Sequence, residues 1–341
     1  MTGPFTNFLY HFNRLYIDTS GLVFGTLFDP TRDLVLITGG GSGLGKELTS
    51  KFRSQGARVV VFDLDIPTTD SKNYVEGVIY IACDVSDREV VLQKAQYVTE
   101  NIGVVSLLIN NAGITMGKTV LDLSFDEIEK TLQVNLLSSF YTIKAFMPGM
   151  MKNKRGYIVT VASTLGYLSP ARLSAYGASK SGLIALHESL TYELGPPAFN
   201  TTGVKTLLVC PGQLRTGMFN GVRTPSTLLA PELDPKEVAY TIYRAVKLGK
   251  RGEIKLPLYG RLIPLVRLVP WPLAELVRYF SGMDESMKKF VGNAASLGEK
   301  SATIFNEAAS IISNMTPKLG SSEAAQVELT ENRELPNPDN T

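Results

Sequence analysis

The sequence predicts an α/β fold, a doubly wound parallel sheet in a single domain with N- and C-terminal extensions. Three observations carry this. Six short aliphatic runs recur along the chain, helix-length segments separate them, and a glycine-rich turn, TGGGSGLG at 38–45, follows the first run directly. The runs are LVLIT at 34–38, RVVVFD at 58–63, VIYIACD at 78–84, SLLINN at 106–111, GYIVTVAS at 156–163 and VKTLLVCPG at 204–212. They are apolar almost throughout instead of alternating, the pattern of parallel strands buried on both faces. Helices between such strands imply a parallel sheet covered on both sides.

Helix signals fill the gaps. KELTSKFRSQG has helical character directly after the glycine turn. Ser86 and Asp87 can cap a run to Glu100, and Ser124 with Glu127 forms a capping box before a helix reaching about Met147.

Four regions follow: an arm over 1–32, a catalytic-type domain over 33–252, an apolar basic extension over 253–300, and a tail over 301–341 that is largely disordered from about 319. The arm is rich in aromatics but broken by His11, Asn13, Arg14 and Asp18. It is short of the ~20 apolar residues of a membrane span. It also lacks the basic start and small-residue cleavage site of a signal peptide. It reads as an amphipathic segment lying on a membrane or packed on the domain. The tail carries Glu323, Glu328, Glu331, Glu334 and Asp339 against Arg333. That composition leaves too little apolar surface to fold.

Composition excludes several classes. With 34 Lys+Arg against 32 Asp+Glu, a net charge of +2, the chain lacks the basic excess of a nucleic-acid binder, and 44% hydrophobic residues is too high for a disordered protein. Two cysteines, Cys83 and Cys210, make no disulfide framework, and with only His11 and His187 a zinc site is hard to assemble, so no metal is expected. Both thiols are read as buried structural groups, and His187 as surface or core. Asn200-Thr-Thr and Asn314-Met-Thr fit the glycosylation pattern, which chance produces easily.

The turn at 38–45 points to a dinucleotide and hence to a sheet of Rossmann type. Gly39 permits a tight turn, Gly43 lets the backbone approach a pyrophosphate, Gly45 allows close helix packing, and the helix that follows offers free N–H groups to phosphate. Thr38, Ser42 and Leu44 complete the contacting set. Asp63, eighteen residues past Gly45 at the end of the second run, can accept both ribose hydroxyls and would repel a 2′-phosphate. NAD is therefore expected over NADP, with Lys46 able to soften the preference. The alternative for Asp63 is a solvated carboxylate at a strand end.

The glycine spacing, T-G-x-x-x-G-x-G, resembles that of the short-chain dehydrogenase/reductase family, and further motifs over roughly 33–252 continue the resemblance. CDV at 83–85 looks like the family's adenine contact through Asp84 and Val85, and NNAG at 110–113 like its central-strand motif, placing Asn111, Ala112 and Gly113 on the adenosine side. Asn135 in QVNLL, Ser163 in VAS, and Tyr176 with Lys180 in YGASK match the catalytic tetrad. Pro211, Gly212, Leu214 and Thr216 match the loop that closes on the nicotinamide. Lys144 is a weaker cofactor candidate, a solvated helix face being its alternative.

Tyr176 and Lys180 stand four apart and so share one helix face. The resemblance implies that Tyr176 exchanges a proton with the substrate oxygen and Lys180 stabilises its phenolate and holds the nicotinamide ribose. It further implies that Ser163 bonds the reacting oxygen and Asn135 holds a water linked to Lys180. Taken singly, Ser163 reads as a cap and Asn135 as a polar residue inside a helix. The resemblance implies a homodimer or tetramer through the helices bearing Asn135 and Tyr176.

Two apolar segments address the substrate. Met218 to Leu233, with Phe219, Val222, Leu228 and Leu229, would form a lid that favours a lipophilic alcohol or ketone such as a steroid or retinoid. Residues 256–280 hold four charged residues in 25, with Pro257, Pro264, Pro270, Pro272 and the sole tryptophan, Trp271. Over 250–289, eight Lys and Arg face four Asp and Glu, a surplus of four positive charges. Basic residues around an apolar stretch suit a peripheral or monotopic membrane element. The segment looks like the C-terminal extension of membrane-associated retinol and hydroxysteroid dehydrogenases of that family. This implies the endoplasmic reticulum or lipid-droplet surface with the catalytic domain facing the cytoplasm; the alternatives are core or dimer packing and a cytoplasmic enzyme. A non-catalytic nucleotide-binding scaffold at a membrane is the competing function, and a complete tetrad argues against it.

Overall fold

A computed structural model describes residues 28–195, 200–219, 221–222 and 231–290, all within one unit, Met1–Ala295. Nearly all of the expected N-terminal arm, Leu228 and Leu229 of the lid, and the tail lie outside the described residues.

Strands β1 (Leu34–Thr38), β2 (Arg58–Asp63), β3 (Ile79–Ala82), β4 (Leu107–Asn110), β5 (Gly156–Val161) and β6 (Val204–Pro211) all fall within the six aliphatic runs. A seventh, β7 (Gly252–Leu256), escapes the periodicity: GEIKL carries two charges, and of its side chains Ile254 alone is fully buried. It pairs in parallel with β6 from Leu207 opposite Gly252 to Pro211 opposite Leu256. The sheet therefore runs past the boundary expected at 252. Strand order is β3-β2-β1-β4-β5-β6-β7, every pairing parallel. The chain starts in the middle and winds outward both ways, which opens a crevice beyond the strand C-termini between β1 and β4.

Among the described residues the helices are α1 (Gly43–Ser54), α2 (Arg88–Asn101), α3 (Phe125–Leu132), α4 (Ser138–Lys152), α5 (Ser174–Glu193), α6 (Pro235–Lys247), α7 (Ile263–Val266) and α8 (Trp271–Ser281). Successive strand residues point to opposite layers. Val35 and Ile37 pack with Leu48 and Phe52 of α1 and Ile242 of α6. Leu34 and Leu36 pack with Val91 of α2, Phe146 of α4 and Leu190 of α5. Both faces are apolar because both are covered.

The caps form where the sequence placed them. The Asp87 carboxylate accepts from the N–H groups of Glu89 and Val90 at 2.9 and 3.1 Å. Ser124 and Glu127 make both halves of the capping box, at 3.1 and 3.0 Å. The helix beyond is not uniform, however. α3 passes into one π turn, Gln133–Leu137, before α4 continues to Lys152. Single π turns are uncommon and cluster at functional sites; this one carries Asn135.

At the opposite edge of the sheet, the buried carboxylate of Asp33 accepts two hydrogen bonds from Arg155, at 2.8 and 2.7 Å, and a third from Ser106 at 2.8 Å. These bonds join the starts of β1, β4 and β5. Removing one partner of such a pair strands a charge in low dielectric. Arg155→Ala is expected to lower unfolding free energy by about 2–3 kcal/mol, the partial exposure of the arginine keeping the cost at the low end; urea denaturation measures it.

Candidate active site

The glycine turn is shaped by close approach. Gly39 and Gly43 have φ of 64° and 52°, the left-handed region that glycine tolerates. A Cβ on Gly45 would collide with the Gly39 carbonyl, so the first turn of α1 sits directly on the loop. Ser42 caps α1 without using its side chain, and the first helical turn holds no acidic residue. Its N–H groups are left to an anion with no carboxylate competing, and Asp63 stands just beyond at the end of β2. These residues fit a dinucleotide.

Two of the expected site residues also hold the chain together. Asn111 donates to the carbonyls of Thr38 and Gly39 at 3.1 and 3.0 Å. The Thr38 hydroxyl in turn accepts from the N–H groups of Asn111 and Ala112 at 3.0 and 3.1 Å. The pair clamps the ends of β1 and β4 together. Asn135, expected to hold a water, is likewise engaged by the chain. Its Oδ1 accepts from the Ile114 N–H at 2.7 Å, and its Nδ2 donates to the Ile114 carbonyl at 2.9 Å and to Ser179 Oγ at 3.0 Å. Both donors are used, so Asn135 ties the loop after β4 to α5.

The other cofactor candidates fall into place unevenly. Asp63 Oδ2 accepts from the Gly41 N–H at 2.8 Å, fixing the carboxylate at the mouth of the turn. Asp84 accepts from Ser86 at 2.6 and 2.9 Å and from Lys130 at 2.9 Å. Burial pushes its pKa up, but these bonds outweigh it and hold the carboxyl below its usual value. Leu44 and Val85 turn their side chains into the core, which leaves only their backbones to a ligand. Thr216 faces Gly43 across the crevice, its Cγ2 3.4 Å from where a Cβ would stand, and Leu214 holds that loop by bridging to Leu233. Lys144 is exposed on α4, the solvated placement.

Ser163, Tyr176 and Lys180 come together beside this crevice. The Ser163 side chain stands near enough to Tyr176 to draw its pKa down. Ser163 Oγ donates to the Pro211 carbonyl at 3.3 Å and accepts from the Leu165 N–H at 3.1 Å. Lys180 Nζ donates to the Val161 carbonyl at 3.0 Å and lies 5.7 Å from the Tyr176 ring centre. All three side chains are buried. Burial raises the Tyr176 pKa to about 12, with Ser163 working the other way, and lowers that of Lys180 to about 8. Gly113 completes the group: a Cβ there would lie 3.4 Å from Asn135 Oδ1 and 3.6 Å from Lys180 Nζ.

Sequence reasoning found the lid residues of the far wall and missed those the extension supplies. Tyr176 sits in an apolar cluster with Leu165, Leu173, Met218, Phe219, Val222 and, from the extension, Met287 and Phe290. The Phe219 ring meets Tyr176 edge-on at 5.8 Å. Tyr259, also from the extension, places its hydroxyl beside Gly212. No local pattern marks 259, 287 or 290, because their partners lie about a hundred residues away. Cys83, Cys210 and His187 are buried; burial pushes both thiols up and His187 down to about 4. Among the described residues no group of three or more His, Cys, Asp or Glu is placed to hold a metal ion.

Comparison with known proteins places this geometry in context. Residues 33–226 match the profile of the short chain dehydrogenase family. An uncharacterized oxidoreductase of Saccharomyces cerevisiae is 36% identical over 73% of this chain and 82% of its own. Human estradiol 17-beta-dehydrogenase 11 is 38% identical over 70% of this chain and 80% of its own, and human retinol dehydrogenase 10 is 34% identical over 80% and 87%. Among solved structures, a short-chain dehydrogenase from Streptomyces avermitilis superposes with a TM-score of 0.60 at 25% identity, covering 73% of this chain and 96% of that one.

Replacing Asn135 by Ala would leave the Ile114 N–H and carbonyl and the Ser179 hydroxyl without this partner. Asn135→Ala is expected to cost about 2–4 kcal/mol in urea denaturation, from the unsatisfied buried groups alone.

Proposed function

The chain belongs to the short-chain dehydrogenase family and is an NAD(P)-dependent oxidoreductase, and on that premise we propose that it interconverts an alcohol and a carbonyl on a lipophilic substrate, with Tyr176 as general acid and base. One observation carries the reading: Tyr176, with Ser163 in reach and Lys180 beside it, is packed among the apolar side chains of Leu165, Leu173, Met218, Phe219 and Met287. A polar reacting group inside an apolar wall selects for a molecule whose reacting oxygen sits on a largely hydrocarbon frame. The relatives named for estradiol and retinol dehydrogenation act on molecules of that description.

When bound, the nicotinamide accepts or donates the hydride. Everything else falls to the chain. Ser163 donates to the substrate oxygen, stabilising charge that builds there. Tyr176 takes the hydroxyl proton during oxidation or returns it during reduction, and the Lys180 ammonium favours the phenolate across 5.7 Å. NAD is favoured over NADP by two features. The Asp63 carboxylate is fixed by Gly41 where it would repel a 2′-phosphate, and the Lys46 ammonium is committed to Glu47 at 3.1 Å.

The extension supports association with a lipid surface. Leu268, Trp271 and Phe280 are 79%, 75% and 80% exposed, and Leu262, Leu265 and Tyr279 are exposed beside them. Apolar and interfacial aromatic side chains with an exposed Arg261 suit a monotopic contact. No helix among the described residues is long and apolar enough to cross a membrane.

A panel of steroids, retinoids and long-chain alcohols with NAD and NADP tests the chemistry. Oxidation by the wild type should be NAD-dependent and should quicken as pH rises from neutral into the alkaline range, because a phenol raised to about 12 gains base form throughout that range. Reduction should hold level over most of that range and fall only as pH nears about 12, because the phenol stays protonated below it. Tyr176→Phe should lower kcat by about 100-fold or more; unchanged turnover would refute the role. For the surface contact, truncation at 252 would remove β7, so the better variant replaces Leu268, Trp271 and Phe280 by Glu. The intact chain should float with liposomes and the triple variant should sediment. Equal flotation of the two would exclude this face as the contact.

A further inference from the structure

The segment from Ser163 to Tyr176 has little regular structure to hold it. One 3-10 turn, Thr164–Gly166, is followed by an irregular run until α5 begins at Ser174. Its backbone groups need partners from elsewhere, and the extension supplies them in sequence order. Arg267 donates from Nε to the Tyr167 carbonyl at 2.7 Å and from a terminal nitrogen to the Gly166 carbonyl at 3.4 Å. Arg278 donates to the Ser169 carbonyl at 3.2 Å and holds Asp284 through two bonds, at 2.6 and 3.2 Å. Asp284 Oδ1 accepts from the Ala171 N–H at 2.8 Å. Met287 then packs against Leu173 and Tyr176 themselves.

We propose that Arg267 and the Arg278–Asp284 pair are positioning residues for the reaction, lacing the segment that carries Ser163 to Tyr176 so that the two hydroxyls stay in register. In the sequence both arginines count only toward the basic surplus over 250–289, whereas the structure turns them onto carbonyls of this loop. Arginine suits the task because its rigid fork serves a carbonyl and a carboxylate at once. The pair's side chains are 31% and 38% exposed, so as an ion pair it adds little stability. Its effect is geometric. Gly177 shows how closely the laced loop lies on α5: a Cβ there would strike the Ser169 side chain.

The test uses the full chain and two readouts. Amide exchange is followed at Leu165, whose N–H donates to Ser163 Oγ and which none of Arg267, Arg278 and Asp284 touches through a hydrogen bond described here, with Val159 in β5 as the internal reference. In Arg278→Ala and Asp284→Ala, exchange at Leu165 should quicken about tenfold while Val159 keeps its wild-type rate. In turnover, kcat should fall about tenfold with the cofactor KM within about twofold, and Arg278→Lys should recover part of the loss. Wild-type exchange at Leu165 in both alanine variants, with Val159 also unchanged, would overturn the proposal. If Val159 quickens too, the milder Arg278→Lys and Arg267→Lys decide by the same criterion. The kinetic arm rests on the function proposed above, but the exchange arm needs no turnover. A wild-type chain that oxidised no alcohol would count against that function and leave exchange to decide this inference.

Discussion

Because every strand of the sheet runs the same way, the chain leaves each of them at one edge, and the loops that follow must share that space. The glycine turn after β1, Asp63 at the end of β2, Asn111 after β4, Ser163 after β5 and Gly212 after β6 are brought together by this constraint alone. Crowding at the edge then dictates residue type. Gly45 has no room for a Cβ because the Gly39 carbonyl lies against it, and the turn is held by Thr38 and Asn111 exchanging bonds between adjacent strand ends. Once the edge is closed in this way, α1 presents its N-terminus to the crevice with no further adjustment.

Tyr176 and Lys180 sit at the price of their own ionisation. Burial works against a charge on Tyr176 and on Lys180 alike, raising one pKa and lowering the other. A hydroxyl, an ammonium and a carbonyl held by fixed partners reduce the reorganisation needed when charge develops. Asn135 belongs to the same arrangement. The π turn offsets the helix locally and carries this amide, which bonds both backbone groups of Ile114 and the hydroxyl of Ser179, one residue before Lys180.

The extension has two faces with different tasks. Outward, Leu268, Trp271 and Phe280 stand in solvent; inward, Arg267, Arg278, Asp284 and Met287 contact the loop between Ser163 and Tyr176 or the tyrosine itself. The exposed apolar face of the extension and Tyr176 are therefore joined through one short segment. The near-zero net charge of the chain conceals this, since a basic apolar stretch is offset by an acidic tail.

What the sequence determined by itself was local. Six strands, the Asp87 cap, the Ser124–Glu127 box and the glycine turn followed by α1 depend on residues within a few positions of one another, so composition and spacing reveal them. The family resemblance rested on the same local motifs, and the matching profile stops at 226. Tertiary structure decided the rest. β7 has no apolar run because it lies at the sheet's margin and needs β6 beside it to be a strand at all. The side chains of Asn111 and Asn135 found backbone partners 73 and 21 residues away, which no local motif announces. Arg267 and Arg278 turned inward to carbonyls about a hundred residues earlier. A polar side chain's destination is set by which backbone groups the packed chain leaves unpaired within reach, and that inventory exists only once the strands and helices have been brought together.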